Sequence, residues 1–368
     1  MSASLSAVRT ARAVDHLQLG NAYAARGALE DAAAAFTAAL TAQPGSRAAL
    51  HGLGVVRLRQ DRFAAALRCF TALAAAAPSM PGLAYHTGVA HQGLGDEAAA
   101  AAAFRRALVR DPGCLPALNN LCVALLRTGE PAEALAVCAR FLALAPASPK
   151  VHAYQAAALL ALGDRAAALR LLDFERLVVQ LDVAPLVPHN AALAAAILAH
   201  PSLCFEPAGK STRGGRQTGE LLTAAAGPAL GALATALHAT VHAYFAHVRA
   251  RLPDHPYVAH LPRRWRLVTW AVVLDAHGHQ MPHFHPAGCL SGVYYVRVPD
   301  SLGPDHAGWL ELGDTRAALG APDDPPLSLV APQPGRLVVF PSYVYHRTIP
   351  FTVDAPRISV AFDVIPVG

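Results

Sequence analysis

Small and apolar residues recur with a fixed period of 34 along the first half of the chain. Gly20, Gly54 and Gly88 align with Cys122; Ala32, Ala66, Ala100, Ala134 and Ala168 form a second column; Phe36, Phe70 and Phe104 continue as Cys138 and Leu172. Gly27, Asp61, Gly95, Gly129 and Gly163 mark one recurrent break, and Pro44, Pro78, Pro112 and Pro146 mark another. Such a period predicts stacked helical pairs. Small residues let two antiparallel helices approach, the aromatic column fills the groove between them, the glycine column turns the chain, and each proline ends a second helix.

Leu19, Gly20, Tyr23, Ala32, Phe36, Ala39 and Pro44 together resemble a tetratricopeptide repeat. The resemblance covers about residues 16 to 175, with four good copies and a fifth, from near Val151, that lacks its proline. It implies an α-solenoid over residues 1–180 whose concave face takes a peptide or protein partner. Asn21, Arg57, Asn119 and Asn120 fall on first helices, where they offer hydrogen bonds to a peptide backbone. Taken singly, each also reads as solvated surface.

From Leu181 to Arg216 the helical period fades among Pro185, Pro188, Pro201 and Pro207, so 181–216 reads as a connector with one short helix. Its Gly214-Gly215 pair lacks the order of a phosphate-binding loop. Residues 217–368 are expected to hold a long helix, Glu220 to Leu252, and then a strand-rich domain. The helix carries His238, His242 and His247, without the glutamate that a zinc-protease motif requires, and they read as surface residues. Alternating segments at 265–274, 290–298, 309–312, 336–340 and 357–364 argue for a sandwich or jelly roll. The fold class expected is α+β and multidomain, a solenoid followed by a double-stranded β-helix.

Composition sharpens the contrast between the halves. Of 18 histidines, 13 lie from His189 onward. Charged residues are only 15% and hydrophobic ones 54%, many of them alanine, which excludes a wholly disordered chain. No segment approaches the roughly 20 apolar residues that span a bilayer. The net charge of +5 is spread out, giving no nucleic-acid footprint. The first twenty residues lack the apolar stretch of a secretory signal, and no CxxC occurs, so a cytoplasmic protein with reduced cysteines is expected.

The chemistry concentrates in His277-Gly-His-Gln-Met-Pro-His-Phe-His-Pro286, placed at a turn between strands. Side chains two apart in an extended segment point the same way, so His283 and His285 can grip one ion. His346 closes a later strand, and Arg357-Ile-Ser359 opens the next one. His277 and His279 read as solvated or outer residues, Trp265 and Trp270 as core packing, Arg297 as surface, and Asp275 stands in the wrong order for a ligand.

With HFHPxxxLSGVYYV, FPSxxxH and RIS, residues 265 to 363 resemble the iron(II)- and 2-oxoglutarate-dependent dioxygenases of the double-stranded β-helix fold. The resemblance implies that His283 and His346 bind Fe(II), and that Arg357, helped by Ser359, clamps the side-chain carboxylate of 2-oxoglutarate. Tyr294 and Tyr295 face opposite ways, so one of them can reach the cosubstrate. The family has Asp or Glu where this chain has His285. Either the iron sits on three histidines or His285 stands behind the site with water completing it; the matching spacing favours a ligand. The implied activity is oxidation of a peptide or protein side chain delivered by the repeats. The competing readings are a three-histidine cupin dioxygenase that acts on a small molecule without 2-oxoglutarate, and a non-catalytic scaffold with a metal-sensing barrel.

Overall fold

The computed structural model describes residues 2–222, 227–320 and 324–367, with side chains from Thr10 onward. The chain forms two compact units, Met1–Val137 and Cys138–Gly368. No helix among the described residues is long and apolar enough to cross a membrane.

Helices α1 (Ser2–Ala25), α2 (Leu29–Ala42), α3 (Arg47–Arg59), α4 (Phe63–Ala76), α5 (Leu83–Gly93), α6 (Glu97–Arg110), α7 (Leu115–Arg127) and α8 (Pro131–Leu144) follow the 34-residue period. The turn column takes the left-handed conformation throughout, with φ of +78° at Gly27, +79° at Gly95 and +78° at Gly129. Asp61 adopts it too, at +56°, as short polar side chains tolerate. Ala32, Ala66 and Ala100 have no exposed surface, and Phe36, Phe70 and Phe104 are fully buried.

The glycine column is explained by contact. A Cβ added at Gly20 would stand 2.7 Å from the ring of Phe36, one at Gly88 would stand 2.5 Å from Phe104, and one at Gly54 would strike Phe70. Glycine-to-alanine in an exposed helix normally stabilises by about 1 kcal/mol. Gly54→Ala is expected to destabilise the repeats instead, by about 1–3 kcal/mol from overpacking, with partial rescue by Phe70→Leu. Urea unfolding followed by far-ultraviolet circular dichroism reads both the sign and the rescue.

The second unit contains the last helical pair, α9 (Pro149–Ala161) and α10 (Arg165–Leu172), and the β-rich domain. The pair is joined to that domain by polar contacts. The Tyr343 hydroxyl donates to the Leu171 carbonyl at 2.5 Å, His255 Nε2 lies 2.9 Å from the Arg170 carbonyl, and His152 meets the Tyr343 ring edge to face at 5.3 Å.

The strands are β1 (Val179–Asp182), β2 (Cys204–Phe205), β3 (Thr212–Gln217), β4 (Trp265–His283), β5 (Leu290–Arg297), β6 (Leu310–Leu312), β7 (Ser328–Val330), β8 (Arg336–Pro341), β9 (His346–Thr348) and β10 (Arg357–Pro366). They form one curled antiparallel sheet in the order β1-β8-β5-β10-β4-β9-β6-β7, with β2 and β3 joined through β4, consistent with a jelly roll. Both faces of β4, β5, β8 and β10 bury apolar side chains, Val272 and Val338 on the face that carries Ser359, Leu290 and Phe362 on the other.

Three local expectations are corrected. The stretch 181–216 is more than a connector: Thr212–Gln217 pairs with β4, and Asp182 pairs with Arg336 of β8. Glycines allow the tight approach, since a Cβ at Gly215 would come 2.7 Å from the Val273 carbonyl. The long helix begins at Pro228, not Glu220. Glu220 instead accepts hydrogen bonds from Thr269, through N at 3.0 Å and Oγ1 at 2.6 Å, while 223–226 lie outside the described residues. The expected turn at His277–Pro286 is strand as far as His283, kinked where His277 takes φ +65°.

Candidate metal centre

Strand pairing assembles the site. His283 at the end of β4 is the register partner of His346 at the start of β9, and their ring centroids lie 4.3 Å apart. His285, fixed by its backbone N–H donating to the Ser342 carbonyl at 3.0 Å, has ring centroids 5.1 Å from His283 and 4.9 Å from His346. One nitrogen from each ring lies within 4.8 Å of the other two.

The partners of the remaining nitrogens decide the tautomers. His283 Nδ1 lies 2.7 Å from the Met281 carbonyl, His346 Nδ1 lies 3.0 Å from the Val344 carbonyl, and His285 Nδ1 lies 2.5 Å from Asp363 Oδ1. These oxygens only accept, so each Nδ1 carries a proton and Nε2 is the nitrogen left for a ligand. Burial, and then the neighbouring His285, lowers the pKa of His283 to about 4. Burial, and then His283, holds His346 well below the usual imidazole range. Both are therefore neutral at pH 7. Three imidazole nitrogens converging on one point suit a divalent transition metal.

The adjoining cavity is lined by the three histidines with Trp270, Gln280, Tyr295, Phe340, Thr348, Arg357 and Ser359. Arg357 is only 2% exposed, and its guanidinium lies 4.8 Å over the Tyr295 ring. Neither Arg357 Nε nor the Tyr295 hydroxyl has a hydrogen-bond partner. Among the described residues Arg357 forms no ion pair. Burial lowers its pKa, yet a guanidinium remains charged. A buried cation without a counter-charge is costly, and a carboxylate entering this cavity would neutralise it through charge-assisted hydrogen bonds. Beyond Trp270, Gln280 and His283 lies a cleft of about 430 Å³, bordered by Lys210, Ser211, Phe284 and Pro286.

Residues 268–363 match the family described as "Putative 2OG-Fe(II) oxygenase", and 17–81, 51–113 and 85–149 match the tetratricopeptide repeat. The chain joins tetratricopeptide repeats to a domain of this oxygenase family. No curated protein matches. Among solved structures, the chain is similar to MamA (18% identity, 45% of this chain and 91% of that one, TM-score 0.42). It is similar to YrrB, titled a TPR protein with an unusual peptide-binding site (22%, 44% and 83%, TM-score 0.42). A Pseudomonas putida prolyl-4-hydroxylase is a third (17%, 54% and 100%, TM-score 0.39).

The oxygenase domain brings His283, His285, His346, Tyr295, Arg357 and Ser359 to one cavity. Tyr294 turns to the other face, where its hydroxyl donates to Asn190 Oδ1 at 2.8 Å, so only Tyr295 of that pair reaches the cavity. Trp270, expected in core packing, stands 5.4 Å from the His285 ring and walls the site. Trp265 packs against His238 and His242, with centroids at 5.1 and 5.2 Å. Asp275 pairs with Arg216 at 3.2 Å, and Arg297 is exposed. His277 donates its backbone N–H to Phe351, and His279 lies 3.2 Å from the His277 carbonyl; neither lines the cavity.

Within the repeats, Asn119 donates to Asn120 Oδ1 at 3.0 Å, while Asn21 is exposed on α1. Gln280, Thr348 and Asp363 are polar groups of the site that the sequence pattern alone does not single out. The signal for Asp363 is the period of two along β10, which puts Arg357, Ser359, Ala361 and Asp363 on one face.

Proposed function

We propose that this protein is an iron(II)- and 2-oxoglutarate-dependent dioxygenase that hydroxylates or otherwise oxidises a peptide or protein side chain, with the repeats recruiting the substrate. The observation that carries it is the fully buried Arg357, without an ion-pair partner, in the same cavity as three convergent histidines. A molecule with a metal-chelating keto acid at one end and a second carboxylate at the other answers both features.

His283, His285 and His346 would hold the ion, which when bound supplies oxygen activation coupled to decarboxylation of the cosubstrate. Arg357 receives the far carboxylate in its fork, Ser359 adds a hydroxyl two residues along the same face, and the Tyr295 hydroxyl donates there. Trp270 and Phe340 wall the cavity and keep it dry. The peptide class rests on the repeats and on the cleft, where Phe284 packs 6.2 Å from Tyr154 of α9. Cys69, Cys114, Cys204 and Cys289 are free thiols, which suits a reducing cytoplasm.

Anaerobic titration of 2-oxoglutarate into the Fe(II)-loaded protein is expected to give a weak visible charge-transfer band, and peptides offered in air should then release succinate. Iron binding with no band would support the cupin reading with a small-molecule substrate. A band with no peptide-stimulated succinate would remove the peptide class alone.

A further inference from the structure

Asp363 lies behind His285, its side chain only 13% exposed, and its sole ion-pair partner among the described residues is His285 Nδ1, at 2.5 Å. Among the described residues no arginine or lysine forms an ion pair with it. Its Oδ1 also accepts from the Ser291 hydroxyl at 2.7 Å, and Ser291 Oγ lies 2.8 Å from Ser342 Oγ. Ser291 is the register partner of Asp363 between β5 and β10, and the Ser342 carbonyl holds the His285 backbone. The whole chain of contacts therefore ends on one imidazole.

A buried carboxylate whose only partners are an imidazole and a hydroxyl has no permanent counter-charge beside it. The deficit disappears when the opposite nitrogen of that imidazole meets a dication. We propose that Asp363 is a positioning residue for the metal centre, supplying through His285 the negative charge that a carboxylate ligand would supply directly. This rests on the three histidines being ligands. The charge count agrees with it: a dication and Arg357 on one side balance the cosubstrate's two carboxylates and Asp363 on the other. Three neutral histidines without Asp363 would leave the assembly one positive charge in excess. Asp363 also keeps the His285 proton on Nδ1, leaving Nε2 for the ion.

The test measures Co(II) affinity of the full chain by competition with a chromogenic chelator. It compares wild type, Asp363→Asn, Asp363→Ala, His285→Ala and the His285→Ala/Asp363→Ala double variant, with melting of each metal-free form recorded alongside. Asp363→Ala is expected to weaken binding about 10–100-fold. Asp363→Asn, which keeps the shape and an acceptor but no charge, should fall between, and it stands in if the alanine variant does not fold. In the His285→Ala background, Asp363→Ala should change affinity by less than about twofold, the non-additivity of two residues acting as one. Equal losses in both backgrounds, or unchanged affinity with only a lower melting temperature, would make Asp363 a strand tie and overturn the proposal. Wild type that binds no Co(II) would remove the metal reading, and the inference with it.

Discussion

Arg357→Met is expected to weaken 2-oxoglutarate binding by about 100-fold or more while leaving metal affinity within a few-fold and the unliganded protein no less stable. Truncating one partner of a desolvated charge pair costs about 2–5 kcal/mol, and the middle of that range, about 3.5 kcal/mol, is a factor of several hundred. The stability half of the expectation is the unusual one. Removing a fully buried side chain normally destabilises, but Arg357 carries a charge without an ion-pair partner, and an apolar residue of similar length relieves that desolvation. Methionine also keeps contact with the Tyr295 ring that the guanidinium now covers at 4.8 Å. The measurements are the charge-transfer titration on the Fe(II)-loaded variant and thermal melting of its metal-free form. Unchanged 2-oxoglutarate affinity would remove Arg357 from the cosubstrate site and favour the cosubstrate-free cupin.

Where the chain's own spacing carries the information, the structure could be read in advance. The 34-residue period is of that kind, because each small residue and the aromatic it faces recur together, as at Gly20 with Phe36 and Gly88 with Phe104. The order His283, His346, Arg357 was legible too, but only Arg357 opens the strand expected of it: His283, expected at a turn, ends β4, and His346, expected to close the strand before it, opens the separate β9 after a turn. Facing within a strand was harder. Tyr294 and Tyr295 had to point opposite ways, but only the pairing of Tyr295 with Ser359 decides which one reaches the cavity. Register shifts in β4 between Gln280 and His283, and in β3 between Arg213 and Gly215, break the simple alternation that would have placed Gln280, whereas Trp270 stands in the regular part of β4 and faces the cavity because it pairs with Ala361. Thr212–Gln217 has no apolar alternation at all and is strand only because β4 supplies its hydrogen bonds. Asp363 was missed because its partner, His285, is 78 residues away and is joined to it only by the fold.

Loss of His346 is the most damaging single change expected for the metal. It is the most buried of the three histidines, and both its nitrogens are committed, Nδ1 to the Val344 carbonyl and Nε2 to the cluster. Losing a direct ligand should exceed the roughly 10–100-fold cost of losing an outer hydrogen-bond partner. His346→Ala would lower stability of the metal-free protein as well, by about 1–3 kcal/mol, because the Val344 carbonyl is left without its donor. A fall in melting temperature alone is therefore ambiguous, and the deciding quantity is the response to added ion. A ligand that binds only the folded state stabilises it by about 2.7 kcal/mol at a hundred times its Kd. For a unit of this size that raises the melting temperature by roughly 5–10 °C. Wild type should show this rise with Co(II), His346→Ala should show almost none at the same concentration, and His242→Ala, altered on the surface of the Pro228–Arg251 helix, should match wild type. An equal rise in His346→Ala would place the ion elsewhere and separate the β9 strand from the metal centre.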